Sequence, residues 1–382
     1  MPLIQSSAVP SSMTRVRRFL QTFFIAVVVG AALLATQAAR AAEKTTFNVA
    51  WSIYVGWMPW DYAQQSGILK KWADKYGITI KLTQMDYIES INQYTAGKFD
   101  GCVMTNMDML TIPAAGGVDS TALIVGDYSN GNDGVVLKGA GKKMADIKGQ
   151  SVNLVELSVS HYLLARGLES VGLAERDIKV VNTSDADIVS AFATPGVTAT
   201  VTWKPQLAEV TAMPKTTLVF DSSKTPGEIL DLMVVNSAVL KANPKLGKAL
   251  VGAWYETLAL MGAKDAKATA ALESMAKASG TDLAGFKGQL ATTYLYSTPA
   301  SAVAAAKSPD LVKKNDLVRK FSFDHGLLGE GAKTVDAVGI EFPGGVTLGN
   351  KANLKMRFDV GYMQMAVDGV AMQLALPLQR HH

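Results

Sequence analysis

The 382-residue sequence predicts an α/β fold built as two lobes. Three observations carry that prediction. Hydrophobic residues make up 48% of the chain and charged residues only 18%, enough apolar surface for a sizeable core and too little charge for a disordered chain. From Thr45 onward strand-like and helix-like periodicities alternate, the order that builds parallel sheets covered by helices on both faces. The length exceeds what one hydrophobic core usually fills, so two lobes are expected.

Residues 1–41 stand apart from this pattern. They hold Arg15, Arg17, Arg18 and Arg40 and no acid. A charge-free run follows from Phe23 to Ala35, then Ala39-Arg40-Ala41 as a small-x-small cleavage site, the layout of a secretory signal peptide. The apolar run is shorter than the roughly 20 residues that span a bilayer. No cysteine follows it to carry a lipid, so the expected location is the periplasm. The net charge of +4 belongs to this leader, because the other 33 basic residues match the 33 acidic ones. The rest of the chain therefore lacks the basic field that gathers nucleic acid.

The elements follow in order. Residues 46–51 are β-branched and aromatic and read as a strand; 59–76 place Tyr62, Ala63, Leu69, Trp72 and Ala73 at helical spacing; 78–82 read as a strand. A helix is predicted over 88–96, strands over 101–104, 123–126, 134–137 and 151–155, a helix over 160–172 and a strand over 199–201. Beyond Asn236 the text turns Ala-rich, with helices predicted over 244–261, 266–279 and 301–307. Pro343-Gly344-Gly345 marks a loop before a last amphipathic stretch.

The residue inventory narrows the chemistry. A single cysteine, Cys102, excludes a disulfide framework and cysteine-rich zinc or iron–sulfur sites, and within a strand it reads as a small buried hydrophobe. His381 and His382 close the chain, leaving His161 and His325, fewer ligands than a catalytic zinc takes. No G-x-S-x-G, H-E-x-x-H or H-x-E pattern occurs, and Gly139-Ala140-Gly141-Lys142-Lys143 lacks the spacing and hydroxyl of a P-loop. No catalytic residue, metal or cofactor is expected. Carboxylate pairs alone do not dismiss a glycosidase by pattern.

In open α/β sheets ligands lie beyond the carboxyl ends of strands, and five turns qualify. The first, residues 52–61, carries Tyr54, Trp57 and Trp60, which either line a pocket or pack in the core. The second is Met104-Thr105-Asn106-Met107-Asp108, where Asp108 reads equally as a first-turn helix acid. The third, residues 127–134, includes Asp133 and is either a ligand turn or a surface hairpin. In the fourth, Val155-Glu156-Leu157-Ser158-Val159-Ser160-His161, Ser158 is a natural N-cap, Glu156 sets a carboxylate beside the positive helix end, and His161 faces either cleft or core. The fifth is Thr202-Trp203-Lys204-Pro205. Asp231 either faces the cleft or ties a hinge.

Over nearly the whole chain after the leader, these segments resemble the periplasmic solute-binding proteins of nitrate, sulfonate and taurine type ABC importers. Residues 147–152 with Ser158, His161-Tyr162-Leu163-Leu164 and Gly172-Leu173 look like the opening of that family's second lobe, and Trp203-Lys204-Pro205 like its W-x-P turn. Gly56-Trp57-Met58-Pro59-Trp60, Met104-Thr105-Asn106-Met107-Asp108, Gly131-Asn132-Asp133-Gly134 and Glu156-Leu157-Ser158-Val159-Ser160-His161 look like the branch encoded beside urea carboxylase. That branch is assigned to urea uptake, and its carboxylase partners act on guanidine.

The resemblance implies an α/β, two-lobed periplasmic binding protein fold (type II) with two crossover strands and a C-terminal helical extension. It puts residues 45–135 plus 236–382 in one lobe and 138–230 in the other, with crossovers near 134–138 and 230–236. It implies a monomer that closes over a small molecule, urea or guanidinium, and presents it to an ABC permease in the inner membrane. The implied ligand-binding residues are Trp57, Met104, Thr105, Asn106, Asp133, Glu156, Ser158 and Trp203. Anion-binding relatives usually carry Gly immediately before the Ser of the fourth turn; here Leu157 stands there, with Glu156 before it. An acid opposes nitrate or sulfonate but accepts two parallel N–H bonds from guanidinium or urea, with Asp133 as second acceptor. Trp57 or Trp203 would cover the flat face. A binding protein for nitrate, sulfonate or another small solute is the alternative. A thiamin-pyrimidine-synthase-like enzyme shares the fold, but its relatives use a cysteine-rich iron segment that a single Cys cannot supply.

Overall fold

A computed structural model describes residues 43–375. The expected leader and the closing histidines lie outside the described residues. Strands β1 (Thr46–Trp51), β2 (Thr79–Gln84), β3 (Gly101–Thr105) and β4 (Ser120–Ser129) open a first sheet. Strands β5 (Asp133–Lys138), β6 (Ser151–Leu154), β7 (Lys179–Asn182), β8 (Ala199–Trp203) and β9 (Thr216–Asp221) form a second. The chain then returns to the first sheet with β10 (Leu230–Asn236), β11 (Thr293–Leu295), β12 (Gly339–Glu341), β13 (Thr347–Leu348) and β14 (Leu354–Phe358). The first sheet runs β13-β12-β14-β4-β10-β3-β1-β2, with β11 beside β4, and the second β7-β6-β8-β5-β9.

The strands expected from β-branched and apolar patterning are all present. The sheets, however, are mixed rather than parallel. β1 is parallel to β2 and β3, whereas β10 runs antiparallel to both β3 and β4, and β5 antiparallel to β8 and β9. β10 and β5 each enter their sheet from the other lobe without a covering helix to turn the chain over, and within the first sheet β11 and β13 also run antiparallel to β4 and β12, respectively. The chain passes between the sheets at residues 130–132 and 222–229, directly before the strands over 133–138 and 230–236 near which the crossovers are expected.

Two further differences have local causes. The helix expected over 59–76 is two helices, Met58–Gln65 and Ile68–Lys75, broken where Gly67 takes φ +81°, a left-handed conformation that glycine adopts without a Cβ clash. The helix Pro309–Asp324 escaped the periodicity reading because its text is polar, although Ser308 caps it and Pro309 opens it in the usual way. The Ala-rich end is not purely helical, since β12 and β14 extend the first sheet, β14 running parallel to β4. Among the described residues no helix is long and apolar enough to cross a membrane.

Trp60 belongs to this packing rather than to a pocket: it stacks on Trp254 of helix Pro244–Gly262 with ring centroids 4.9 Å apart. On the same helix a Cβ at Gly252 would lie 2.3 Å from the Trp72 ring, so only glycine lets helix Ile68–Lys75 come this close.

Asn106 ties the second crossing to both neighbours. Its side-chain N–H groups donate to the Glu228 carbonyl at 3.1 Å and to Asn315 Oδ1 at 3.3 Å, and its Oδ1 accepts the Leu230 N–H at 3.1 Å. All three partners lie in buried surroundings, where an orphaned polar group is costly. Asn106→Ala is expected to cost about 3 kcal/mol of stability, read as a lowered midpoint in thermal unfolding.

Candidate functional site

The site is assembled where the carboxyl ends of strands from both sheets meet. After β1 the chain turns through Ser52-Ile53-Tyr54 into a short helical turn, Val55–Trp57, and the N-terminus of helix Met58–Gln65. That turn needs its glycine: a Cβ at Gly56 would lie 2.5 Å from Asp127 Oδ2 and 2.5 Å from the Tyr54 ring. Tyr54 and Trp57 are thereby aimed at the second lobe. Trp57 packs beside Tyr87 at 5.8 Å between ring centroids, and Tyr87 meets Trp203 of β8 edge-on at 5.4 Å. With the Tyr54–Trp57 contact at 5.1 Å, four aromatic rings form a continuous wall. Thr105, Val159, Ile229, Asp133 and Asp231 complete it around a small cavity, about 20 Å³ of room for the centres of water-sized molecules. Every lining residue is buried.

The lobes touch around this cavity. The Trp203 indole N–H donates to the Ile53 carbonyl at 3.3 Å, the Val55 N–H donates to the Lys204 carbonyl at 3.2 Å, and the Tyr87 N–H donates to Asp185 at 3.1 Å. On a further flank Tyr162 meets Phe321 edge-on at 4.7 Å.

Four carboxylates gather at the cavity. Asp133 and Asp231 line it, Asp127 stands behind Asp231, and Asp108 stands behind Thr105 and Tyr87. All four are at most 4% exposed. Burial pushes Asp133 up to about 7, the charges of Asp127 and Asp108 adding to it against a hydrogen bond from Ser129. Burial likewise raises Asp108 to about 6, against hydrogen bonds from Tyr87, Thr105 and the Val159 N–H. Asp231 is raised well above the carboxylate range by burial and then by its neighbour Asp127, which is itself raised by burial. Lys204, half-buried, is the adjacent cation, and its Nζ donates to the Thr292 hydroxyl at 3.0 Å. Elsewhere in the cleft the fold does neutralise a buried acid: Glu228 receives Arg166 Nε at 3.0 Å and the Tyr162 hydroxyl at 2.5 Å. Among the described residues no three His, Cys, Asp or Glu converge as ligands of one metal ion.

Asp108 also defines what the second lobe can offer. Its Oδ2 accepts Tyr87 at 2.6 Å, Thr105 at 3.0 Å and, across the cleft, the N–H of Val159 at 3.3 Å. Val159 opens helix Val159–Ser170, so the positive helix end that would attract an anion already faces an internal carboxylate.

The residues expected from sequence divide into two groups. Trp57, Thr105, Asp133 and Trp203 line the cavity. Met104, Asn106, Glu156 and Ser158 do not. Met104 is a core residue of β3 opposite Leu232, and Asn106 is the structural tie described above. Ser158 spends its hydroxyl as a cap, donating to the Val155 carbonyl at 2.7 Å and accepting the Ser160 N–H at 3.1 Å. Glu156 is exposed, and the loop is pinned by its own N–H donating to Asn182 Oδ1. Leu157 beside it takes φ +60°, and its N–H donates to His161 Nδ1 at 3.1 Å. His161 faces Glu175 at 2.9 Å instead of the cavity. The tract 127–134 is a buried inter-lobe turn rather than a surface hairpin, with Asp127, Ser129, Asn132 and Asp133 all enclosed. Sequence reasoning placed Asp127 in a candidate turn without singling it out and left Asp108 and Asp231 undecided, since only the tertiary fold brings them together.

Larger depressions lie elsewhere. One of about 340 Å³ lies beside Arg166, Glu175 and His325, where Arg166 meets Glu228 and His325 faces Glu175, and one of about 910 Å³ is an outer groove near Trp72, Tyr76 and Tyr255. Neither adjoins the strand ends.

A family model described as NMT1/THI5 like matches residues 129–268. A binding protein of Brucella abortus is 29% identical over 101 residues, 26% of this chain and 31% of that protein's length, so the match spans about a third of the curated relative. Among solved structures, the alkanesulfonate-binding protein SsuA of Xanthomonas axonopodis pv. citri, bound to MOPS, superposes with a TM-score of 0.64 at 18% identity, covering 76% of this chain and 96% of that one. The periplasmic nitrate-binding protein NrtA of Synechocystis PCC 6803 gives 0.52 at 13% identity, covering 85% and 98%. The chain therefore has the α/β two-lobed, type II periplasmic binding protein fold, with two mixed sheets.

The raised carboxyls make a pH prediction. A carboxyl whose folded pKa exceeds its unfolded value of roughly 4 stabilises the fold fully below that value and loses the contribution as pH rises through the folded one. Asp108 at about 6 and Asp133 at about 7 therefore place the loss between pH 4 and 7. The ligand-free protein is expected to melt roughly 5 °C lower at pH 8 than at pH 5 by differential scanning calorimetry.

Proposed function

We propose that this chain is the periplasmic solute-binding component of an ABC importer, and that it captures a small nitrogen compound, guanidinium in preference to urea, by lobe closure. It acts by binding and presenting its ligand, as a monomer, to an inner-membrane permease rather than by converting it. The importer role is supported by the type II fold, by the family match across residues 129–268 and by the sulfonate- and nitrate-binding proteins of the same architecture.

The choice of ligand rests on one observation: the cavity carries buried aspartates with no buried base, under a wall of aromatic rings. Aromatic faces and carboxylates together favour a cation, the rings through their quadrupoles and the acids through charge-assisted N–H bonds. The acceptor role expected of Glu156 passes to Asp133 and Asp231. Anions meet the opposite field, and Asp108 already sits at the helix end that would receive them. Size agrees, because the cavity suits a ligand of a few atoms. At a ceiling of about 1.5 kcal/mol per heavy atom, four atoms supply about 6 kcal/mol, or tens of micromolar, and a buried ion pair lifts that limit for guanidinium but not for urea.

Isothermal titration calorimetry with guanidinium, urea, nitrate and taurine tests this. Guanidinium is expected to bind at least tenfold more tightly than urea, with no heat from nitrate or taurine. Asp133→Asn is expected to weaken guanidinium by roughly 10- to 100-fold, and Glu156→Gln to leave it unchanged. Binding of nitrate or taurine without guanidinium would overturn the ligand assignment. Loss of labelled guanidinium uptake in a deletion strain would distinguish import from sensing.

A further inference from the structure

Asp127 and Asp231 are opposed in register across β4 and β10, on adjacent antiparallel strands at the back of the cavity. Directly opposed side chains have Cβ atoms about 5 Å apart, and two ionised carboxylates that close in apolar surroundings do not persist together. Tyr54 donates its hydroxyl to Asp127 Oδ1 at 2.9 Å and receives that of Thr293 at 3.1 Å. Asp127 Oδ2 has no donor among the N–H and hydroxyl groups of the described residues, and the hydrogen-bonding neighbour that remains is the carboxyl of Asp231. A hydrogen bond between two carboxyls requires a proton on one of them. The other titratable groups facing the pair are Tyr54 from the turn after β1, Asp133 on β5 and Tyr296 beyond β11, with Asp108 and Lys204 acting on Asp133. Only Lys204 among these is a cation, and Thr292 holds its Nζ.

We propose that Asp127 and Asp231 set the charge of the ligand: the pair holds one proton between its carboxyls before binding and exchanges it for a cationic ligand. In the exchange the O–H bond on Asp231 breaks, the proton passes to solvent, and ligand N–H groups donate to the freed carboxylate oxygens. The pair carries one net negative charge before, and pair plus monocation carry one net negative charge after. An uncharged molecule of the same shape cannot replace the proton and meets the protonated pair unchanged. Selection of cation over neutral isostere thus resides in a proton, and it strengthens as pH rises. This inference rests on the reading of the cavity as the ligand site.

The test is calorimetry of guanidinium chloride and urea at millimolar concentrations from pH 5 to 8, in pairs of buffers with different ionisation enthalpies. Up to two protons are expected to leave per guanidinium bound at pH 6, one from the pair and one from Asp133, and none per urea, and the guanidinium-to-urea affinity ratio should rise at least tenfold per pH unit below the pair's titration. Asp231→Asn and Asp127→Asn, each nearly isosteric, should each lower the proton count by about one while Asp133 still titrates. Thermal unfolding of each variant checks that it is folded, and either folded variant suffices for the comparison. Guanidinium binding with an unchanged proton count in the folded variants, or an affinity ratio independent of pH, overturns the exchange and leaves the ligand reading intact. No heat from guanidinium at any pH overturns both.

Discussion

The site depends on burying negative side chains without supplying a positive one. A carboxylate removed from water is costly unless it is paired, protonated or hydrogen-bonded, and the fold uses a different remedy at each acid in the cleft. Glu228 receives an arginine. Asp108 receives two hydroxyls and a helix N-terminus. Asp127 and Asp231 have each other and Tyr54, and Asp133 has Ser129. The last three are the least compensated, and two of them line the cavity, so the least satisfied charge lies at its wall.

The meeting of the two lobes is part of the same chemistry. Tyr54, Trp57, Tyr87, Thr105 and Asp231 come from the first lobe, and Asp133, Val159 and Trp203 from the second. Bringing them together excludes water from the acids, which raises their affinity for protons and cations alike. The bonds from Trp203 to Ile53 and from Val159 to Asp108 use groups that line or adjoin the cavity. The contacts between the lobes therefore also fix the orientation of the rings and carboxylates.

The fourth turn illustrates how a local pattern misleads. A carboxylate two residues before an N-cap serine suggests an acid held at the positive end of a helix, and sequence proximity is satisfied. The backbone decides otherwise: Leu157 lies in the left-handed region and Glu156 before it is exposed to solvent. The helix end is served instead by Asp108, distant in sequence and delivered from the other lobe. The expected carboxylate, Glu156, is therefore not the one at this helix end; Asp108 is.

Sequence alone determined what depends on neighbours along the chain. Strands β1 to β6 and β8, most of the long helices, the apolar balance and the aromatic turn that carries Trp57 all follow from periodicity and composition, which are local properties. Tertiary structure alone decided which side chains meet. Asp127 and Asp231 belong to separate passages of the chain and face each other only because β4 and β10 pair antiparallel in one register. Slipping β10 by one residue against β4 would turn Asp231 to the opposite face of the sheet from Asp127 and separate the pair, so the charge of the cavity is set by long-range strand pairing rather than by any motif.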